Sequence, residues 1–521
     1  MLLHHFLEET CRKYPQKVAL IQKGERWTYE EIDRKANQVA GVLRLQGIQR
    51  GDRVAVFLDN SVEAVISIFG ISKADAVFLM LSPLLKSAKL GYILNDCQVT
   101  ALISEVNKLG MTSEVLHSVP SLKFIILTGK KEKIQCGIFP HFIPWQEIDA
   151  LIPQPATRNH QSNIDLDLAT IIYTSGSTGN PKGVMLTHLN MISAATSITT
   201  YLRNIPDDII LTVLPLSFDY GLYQVLMAFK FGGTIVLEKS FAYPYEIIKQ
   251  MVKERVTGFP GVPTIFAILL QMEDLKRYDL NSLRYITNTA ASLPVAHIHR
   301  LREIFPQARI YSMYGLTECK RVSYLPPEEL HRRPDSVGRG MPNEEVWIVD
   351  DQGNRAGPGV VGELVVRGSN VMRGYWGDPI ATERVLRTGI LPGEKVLYTG
   401  DLFRMDDEGF LYFVGRKDDM IKTKGERVSP KEVENALHGM EGVAEVAVIP
   451  VPDDILGQAI KAFIVPKDGV TLNEKDLFLH CKKMLEEFAI PKYFEFKSSF
   501  PRTSSGKIDK ITLKQESGYK P

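Results

Sequence analysis

The stretch Ile171–Gly183, Ile-Ile-Tyr-Thr-Ser-Gly-Ser-Thr-Gly-Asn-Pro-Lys-Gly, constrains this chain more than any other. The largely apolar run over residues 168–173 predicts a buried strand. It feeds into six consecutive hydroxyl or glycine residues, Thr174, Ser175, Gly176, Ser177, Thr178 and Gly179, followed by Lys182. That composition suits an anion. Glycines let the backbone approach a phosphate closely, free N–H groups and hydroxyls donate to its oxygens, and the lysine adds positive charge. A Walker A loop is excluded, because Pro181 and Gly183 flank the lysine where that loop needs glycine before it and a hydroxyl after it. In isolation the same residues also read as a flexible Ser/Gly turn.

At 521 residues the chain exceeds what one hydrophobic core sustains, so at least two domains are expected. Sixty-two basic against sixty-one acidic side chains leave a net charge of +1, and nothing in that balance calls for nucleic acid. Hydrophobic residues at 44% with 24% charged describe a globular enzyme, and runs such as residues 76–81 and 225–229 are far too short to span a membrane. The start has no basic segment and turns acidic at Glu8 and Glu9, so a cytoplasmic location is expected. Five scattered cysteines, with no C-x-x-C pair, predict free thiols rather than a zinc site. Cys319 has no partnered base nearby and reads as a packed thiol.

Strand and helix patterns alternate through residues 53–151 and again beyond the Ser/Gly loop. This predicts an α/β fold of largely parallel strands with crossover helices. Helical spacing of Ile32, Ala36, Val39, Ala40 and Leu43 marks one such helix. Small-residue turns at Asn288-Thr289-Ala290 and at Tyr314-Gly315 follow strand ends, where ligands of such sheets sit. From Gly338 short strands with Gly/Pro turns predict an antiparallel, β-rich subdomain. The charged link around Asp418 divides a large domain, residues 1–416, from a small α+β domain, residues 417–521.

Tyr173-Thr-Ser-Gly-Ser-Thr-Gly-Asn-Pro-Lys-Gly resembles the phosphate loop of the adenylate-forming superfamily: acyl-CoA synthetases, peptide-synthetase adenylation domains and luciferases. Four further motifs follow in that family's order: Tyr314-Gly-Leu-Thr-Glu318, Tyr398-Thr-Gly-Asp401, Gly415-Arg-Lys-Asp418 with Lys422, and Pro501-Arg-Thr-Ser-Ser-Gly-Lys507. The resemblance implies ATP and Mg²⁺ as cofactors. It places the β- and γ-phosphates on Thr174–Lys182, adenine on Tyr314, the ribose hydroxyls on Asp401, and ribose and phosphate near Arg416. Thr317 and Glu318 would meet the α-phosphate, with Glu318 holding the metal. Lys507, on a polar loop, would bridge the attacking carboxylate and the α-phosphate. Catalysis by positioning and positive electrostatics fits that chemistry. The small domain would then swing about the hinge Asp418, turning residues 422–427 inward to admit a thiol.

The resemblance also points to a substrate pocket of Phe218, Asp219, Tyr220, Tyr223, Pro260, Ile286, Met313, Arg321 and Val322. Phe218-Asp219 resembles amino-acid-activating members, whose aspartate binds the substrate ammonium, so a small amino acid such as proline is expected. A turn-forming role for Asp219 beside Gly221 is the alternative. Arg321 either points outward or pairs with a second substrate carboxylate. The chain carries no Asp-Ser-Leu attachment site. The expected acceptor is therefore the phosphopantetheine thiol of a separate carrier protein, with CoA as the alternative. A non-catalytic nucleotide-binding scaffold is the reading of another class, and an oxidative luciferase-like enzyme a third.

Overall fold

A computed structural model describes residues 1–129, 141–152, 163–174, 181–272, 274–289, 293–417, 419–423, 426–453, 457–503 and 506–517. The helix Tyr29–Leu45 forms where the apolar spacing predicts it, with Ile32, Ala36, Val39, Ala40 and Leu43 on its buried face. Thr28 and Glu31 cap it reciprocally, satisfying two of the backbone donors that a helix start leaves open. It packs closely on the helix Val62–Lys73. Gly70 permits that approach, since a Cβ there would lie 2.7 Å from Val39.

Two sheets dominate the large domain, as the alternating pattern predicts. One runs in the order Gly374–Tyr375, Lys182–Thr187, Leu168–Thr174, Val77–Met80, Arg53–Phe57, Ala101–Glu105, Phe124–Thr128 and Phe142–Pro144. The other centres on the parallel strands Thr234–Leu237, Ile209–Thr212, Gly258–Gly261, Tyr285–Asn288 and Arg309–Tyr314. A single hydrophobic cluster joins the helices between them, including Phe69, Phe78, Leu226 and Phe229. The large domain is completed by antiparallel strands Glu344–Val349, Gly362–Gly368, Leu386–Thr388, Lys395–Met405 and Leu411–Arg416, matching the β-rich subdomain expected from Gly338 onward.

One departure concerns the anion loop. The sequence reading takes the chain from the loop into a helix over residues 187–201, but a strand, Lys182–Thr187, intervenes before the helix His188–Leu202 and pairs antiparallel with Leu168–Thr174. Val184 and Leu186 turn inward on it, a short alternation that is easily hidden between a glycine and a helix cap. The loop therefore closes a hairpin whose ends, Thr174 and Lys182, face each other in register. Ser175–Gly179 themselves lie outside the described residues, as do Ala290 and Asp418.

The small domain has its own sheet, with Ile421–Thr423, Glu426–Val428, Val443–Asp453, Gly457–Pro466 and Tyr493–Phe496. It also has its own cores, one around Val433, Leu437, Ile460 and Leu477 and another around Phe463, Phe500 and Leu513. No described helix is long and apolar enough to cross a membrane.

The helix Asp219–Phe231 is seated against the end of the preceding strand. A Cβ on Gly221 would lie 2.3 Å from the carbonyl oxygen of Pro215, which is backbone and cannot swing away. Gly221→Ala is therefore expected to cost about 1–3 kcal/mol by overpacking, read as a fall in thermal midpoint, whereas Gly353→Ala, with no atom within 4 Å, tests the strain of its positive φ alone.

Candidate active site

The C-terminal ends of the parallel strands Gly258–Gly261, Tyr285–Asn288 and Arg309–Tyr314 converge with the helix start at Asp219 and with the loop 315–322. This loop is tightly folded. A Cβ on Gly315 would lie 2.4 Å from the Lys320 carbonyl oxygen, and Lys320 itself takes a left-handed backbone, φ 66°. Asn370 clamps the loop by donating to the carbonyls of Cys319, at 2.8 Å, and Arg321, at 3.1 Å. Cys319 is fully buried and its thiol is pushed well up by that burial, the packed role expected of it.

Tyr314, Asp401 and Arg416 meet. The Tyr314 hydroxyl donates to Asp401 Oδ2 at 2.6 Å and the Arg416 guanidinium to Oδ1 at 3.1 Å. Phe403 and Phe413 flank the Tyr314 ring, at centroid distances of 4.8 and 6.3 Å. Burial raises the Asp401 carboxyl above its usual range, opposed by Arg416 and by the Tyr314 bond. Gly400, at φ 71°, makes the bend that aims Asp401 inward, and Glu363 holds that bend by accepting the Gly400 N–H at 3.0 Å.

Lys182, Glu318 and Tyr375 form a second group. Glu318 Oε1 accepts the Tyr375 hydroxyl at 2.8 Å, and the Lys182 ammonium lies 5.3 Å over the Tyr375 ring and 4.0 Å from Asp378. Thr317, half-buried, precedes Glu318 on the loop. On the neighbouring strand end Asn288 and Thr289 are buried, and the Thr289 hydroxyl has no hydrogen-bond partner among the described residues.

Lys507 comes from the other domain. A turn closed by hydrogen bonds from Thr503 N–H to Lys507 and from Gly506 N–H to Thr503 presents it. Arg502 anchors that turn by donating to Thr264 of the large domain at 2.9 Å and to Glu445 of its own at 2.6 Å. The Lys507 side chain remains reachable by water, yet the surrounding protein lowers its pKa. Desolvation dominates and Arg416 adds to it, while Asp219, Asp401 and Glu318 oppose it. One ammonium thus feels carboxylates from all three parts of the cleft.

The pocket residues also gather, on terms the sequence did not reveal. Tyr220, Tyr223, Pro260, Ile286, Met313 and Val322 are buried, with Phe218 edge-on to Tyr220. The Tyr220 hydroxyl is tied to Thr287, at 2.9 Å from its carbonyl oxygen and 2.6 Å from its hydroxyl. Asp219 does not stand open to receive an ammonium. Its Oδ2 lies 3.3 Å from the buried Lys320 ammonium, which also sits 4.4 Å over the Tyr223 ring. Arg321 does not point outward; it is 1% exposed and lies 5.1 Å over the Tyr220 ring.

Lys320, Tyr375 and Arg502 went unread in the sequence. Lys320 was legible as one of two adjacent cations directly after Glu318 and Cys319. Tyr375 reaches the site only because its short strand pairs with Lys182–Thr187.

Residues 7–376 match the family of AMP-binding enzymes and residues 432–507 the C-terminal domain of AMP-binding enzymes. The long-chain-fatty-acid–CoA ligase of Bacillus subtilis (strain 168) is 32% identical over 541 residues, covering 99% of this chain and 94% of that protein. Among solved structures, the anthranilate CoA ligase AuaEII in complex with anthranoyl-AMP superposes with a TM-score of 0.89 at 27% identity, covering 99% of this chain and 97% of that one. ATP-bound MatB from Rhodopseudomonas palustris superposes with a TM-score of 0.88 at 27% identity, covering 99% of both chains.

Burial lowers the Lys320 ammonium to about 7, against its pair with Asp219. Between about pH 7 and 10 the unfolded chain holds more protons at this lysine than the folded chain, so its contribution to stability rises with pH, by at most about 1.4 kcal/mol per pH unit. Thermal melts across that range should show the rise in the parent protein and a flatter profile in Lys320→Met.

Proposed function

The chain belongs to the AMP-binding enzyme family and is an ATP-dependent, AMP-forming ligase, and on that premise we propose that it is an acyl-CoA synthetase. It would activate a carboxylic acid as the acyl-adenylate, releasing pyrophosphate, and pass the acyl group to the thiol of CoA. The observation that carries this reading is that the turn bearing Lys507 is tied to the large domain, Arg502 donating to Thr264 at 2.9 Å, so that a cation of the small domain stands at the cleft of Asp401, Glu318 and Asp219. CoA is favoured over a carrier protein because the CoA ligase of Bacillus subtilis aligns over nearly its whole length. The amino-acid substrate expected from Phe218-Asp219 loses its main support, since Lys320 already neutralises Asp219.

In the proposed mechanism, Thr174, Ser175, Gly176, Ser177, Thr178, Gly179 and Lys182 cradle the β- and γ-phosphates. Tyr314, Gly315, Asn288, Thr289 and Ala290 border the adenine. The buried Thr289 hydroxyl suits this role, because a bound ligand would supply the partner it lacks. Asp401 accepts the ribose hydroxyls. A carboxylate offers about four acceptor sites, and Tyr314 and Arg416 occupy two of them. Thr317 faces the α-phosphate. Glu318 is the oxygen donor available for Mg²⁺, a lone carboxylate suited to an ion held mainly by phosphates and water; when bound, the ion neutralises phosphate charge.

Lys507 places its ammonium where the substrate carboxylate oxygen attacks the α-phosphate, and stabilises the negative charge that gathers there. We place the hinge at Asp418, between the last large-domain strand, ending at Arg416, and the first small-domain strand, starting at Ile421. Rotation there would withdraw Lys507 and open the path for the thiol.

Pyrophosphate release across a panel of acids tests the reaction, and addition of CoA or of a phosphopantetheinylated carrier protein to the preformed adenylate tests the acceptor. AMP discharged by CoA supports the proposal; discharge by carrier protein alone overturns it in favour of a carrier-protein ligase, and no pyrophosphate with any acid leaves a nucleotide-binding scaffold. Lys507→Ala should slow adenylation by about 100-fold or more while thioester formation from supplied acyl-AMP persists. Loss of both half-reactions in a folded variant would contradict the role assigned to Lys507.

A further inference from the structure

The pocket holds a charge that nothing among the described residues answers. Arg321 is among the largest side chains in the chain with under 2% exposure, and its Nε and Nη1 atoms are buried without a hydrogen-bond partner among the described residues. A guanidinium stays protonated and offers five N–H donors, so leaving two of its nitrogens dry and unpaired is a state that a bound acceptor relieves. The Tyr220 ring beneath it offers its π face but accepts no conventional hydrogen bond, since the Tyr220 hydroxyl is committed to Thr287.

The neighbouring charges sharpen the requirement. Lys320, on the same turn, is paired with Asp219. Asp219 thus faces Lys320, and among the described residues no carboxylate forms an ion pair with Arg321. The turn is rigid: Gly315 approaches its backbone closely and Asn370 clamps the carbonyls on either side of Lys320, so the guanidinium cannot readily swing out to water. Tyr220, Tyr223, Ile286, Met313 and Val322 are all at most 4% exposed, so the walls are closely packed and show no channel for a long alkyl tail among the described residues.

Resting on the acyl-CoA synthetase reading, we propose that Arg321 is the receptor for a second carboxylate on the substrate, and that the acid activated by this enzyme is a short-chain dicarboxylic acid. One carboxylate is adenylated beside Lys507; the other accepts charge-assisted hydrogen bonds from Arg321, whose Nε and Nη1 are the donors left without partners. A monocarboxylic acid of equal length places a methyl group against the unpaired guanidinium and is rejected, because the buried donors then stay unsatisfied. A zwitterionic amino acid is disfavoured for a related reason, as its ammonium would enter beside Lys320 and Arg321.

The test measures ATP-dependent pyrophosphate release with malonate, succinate and glutarate against propanoate, butanoate and pentanoate, in the parent protein and in Arg321→Met and Arg321→Lys. At least one diacid should exceed its matched monoacid in kcat/KM by about 100-fold. Arg321→Met should collapse that ratio toward one, and Arg321→Lys should restore part of it. A parent protein that prefers the monoacid at every length, or a ratio unmoved by Arg321→Met, overturns the assignment while leaving the ligase reading intact. Absence of pyrophosphate with all six acids, in a protein that releases it with another acid of the wider panel, overturns the assignment alone; absence with every acid of that panel overturns both. If Arg321→Met fails to fold, the parent ratio alone decides, since a structural arginine predicts no preference for the diacid.

Discussion

A lysine ammonium delivered from one domain into the carboxylate-lined cleft of another is the interaction around which this structure is arranged. Lys507 lies on a turn with no core of its own, so its position depends on what holds the turn. The internal hydrogen bonds between Thr503 and Lys507 shape it, and Arg502 ties it to Thr264 across the domain boundary. Neither contact is strong. An exposed, single hydrogen bond contributes on the order of 1 kcal/mol, which suits a contact proposed to be made and broken in each cycle.

The large domain, by contrast, is built not to move at the site. Tyr314, Asp401 and Arg416 come from separate segments and interlock through a buried carboxylate. The turn 315–322 is pressed against its own backbone at Gly315 and clamped by Asn370. Such a site carries its polar groups ready-oriented, so binding does not have to order them. The cost is visible where groups remain unsatisfied, at Thr289 and Arg321, and both stand where a ligand is proposed to bind.

The acid selection proposed here rests on electrostatics inside that rigid frame. Lys320 and Asp219 illustrate how a motif can mislead. Phe218-Asp219 resembles the ammonium-binding pair of amino-acid-activating enzymes, and the aspartate does bind an ammonium, but one supplied by the protein itself, from the loop that follows the strand Arg309–Tyr314. The pairing shifts the unbalanced charge of the pocket from negative to positive and reverses the kind of substrate it suits.

Local order was legible because it is written in local terms. The helix Tyr29–Leu45 follows from apolar spacing and a capping box, the parallel sheet from alternating strand and helix patterns, and the motif order from contiguous residues. Those features determined the family, the two-domain plan and many of the residues that meet at the strand ends. The strand Lys182–Thr187 escaped because two inward side chains make too short an alternation to register, and Tyr375 escaped because only cross-strand pairing brings it to Glu318. What the tertiary structure alone decided is which charges meet: that Lys320 neutralises Asp219 and that Arg321 is sealed in with donors unpaired. Coulomb energy and desolvation depend on distance through space and on what excludes water, and neither quantity is carried by the order of residues along a chain.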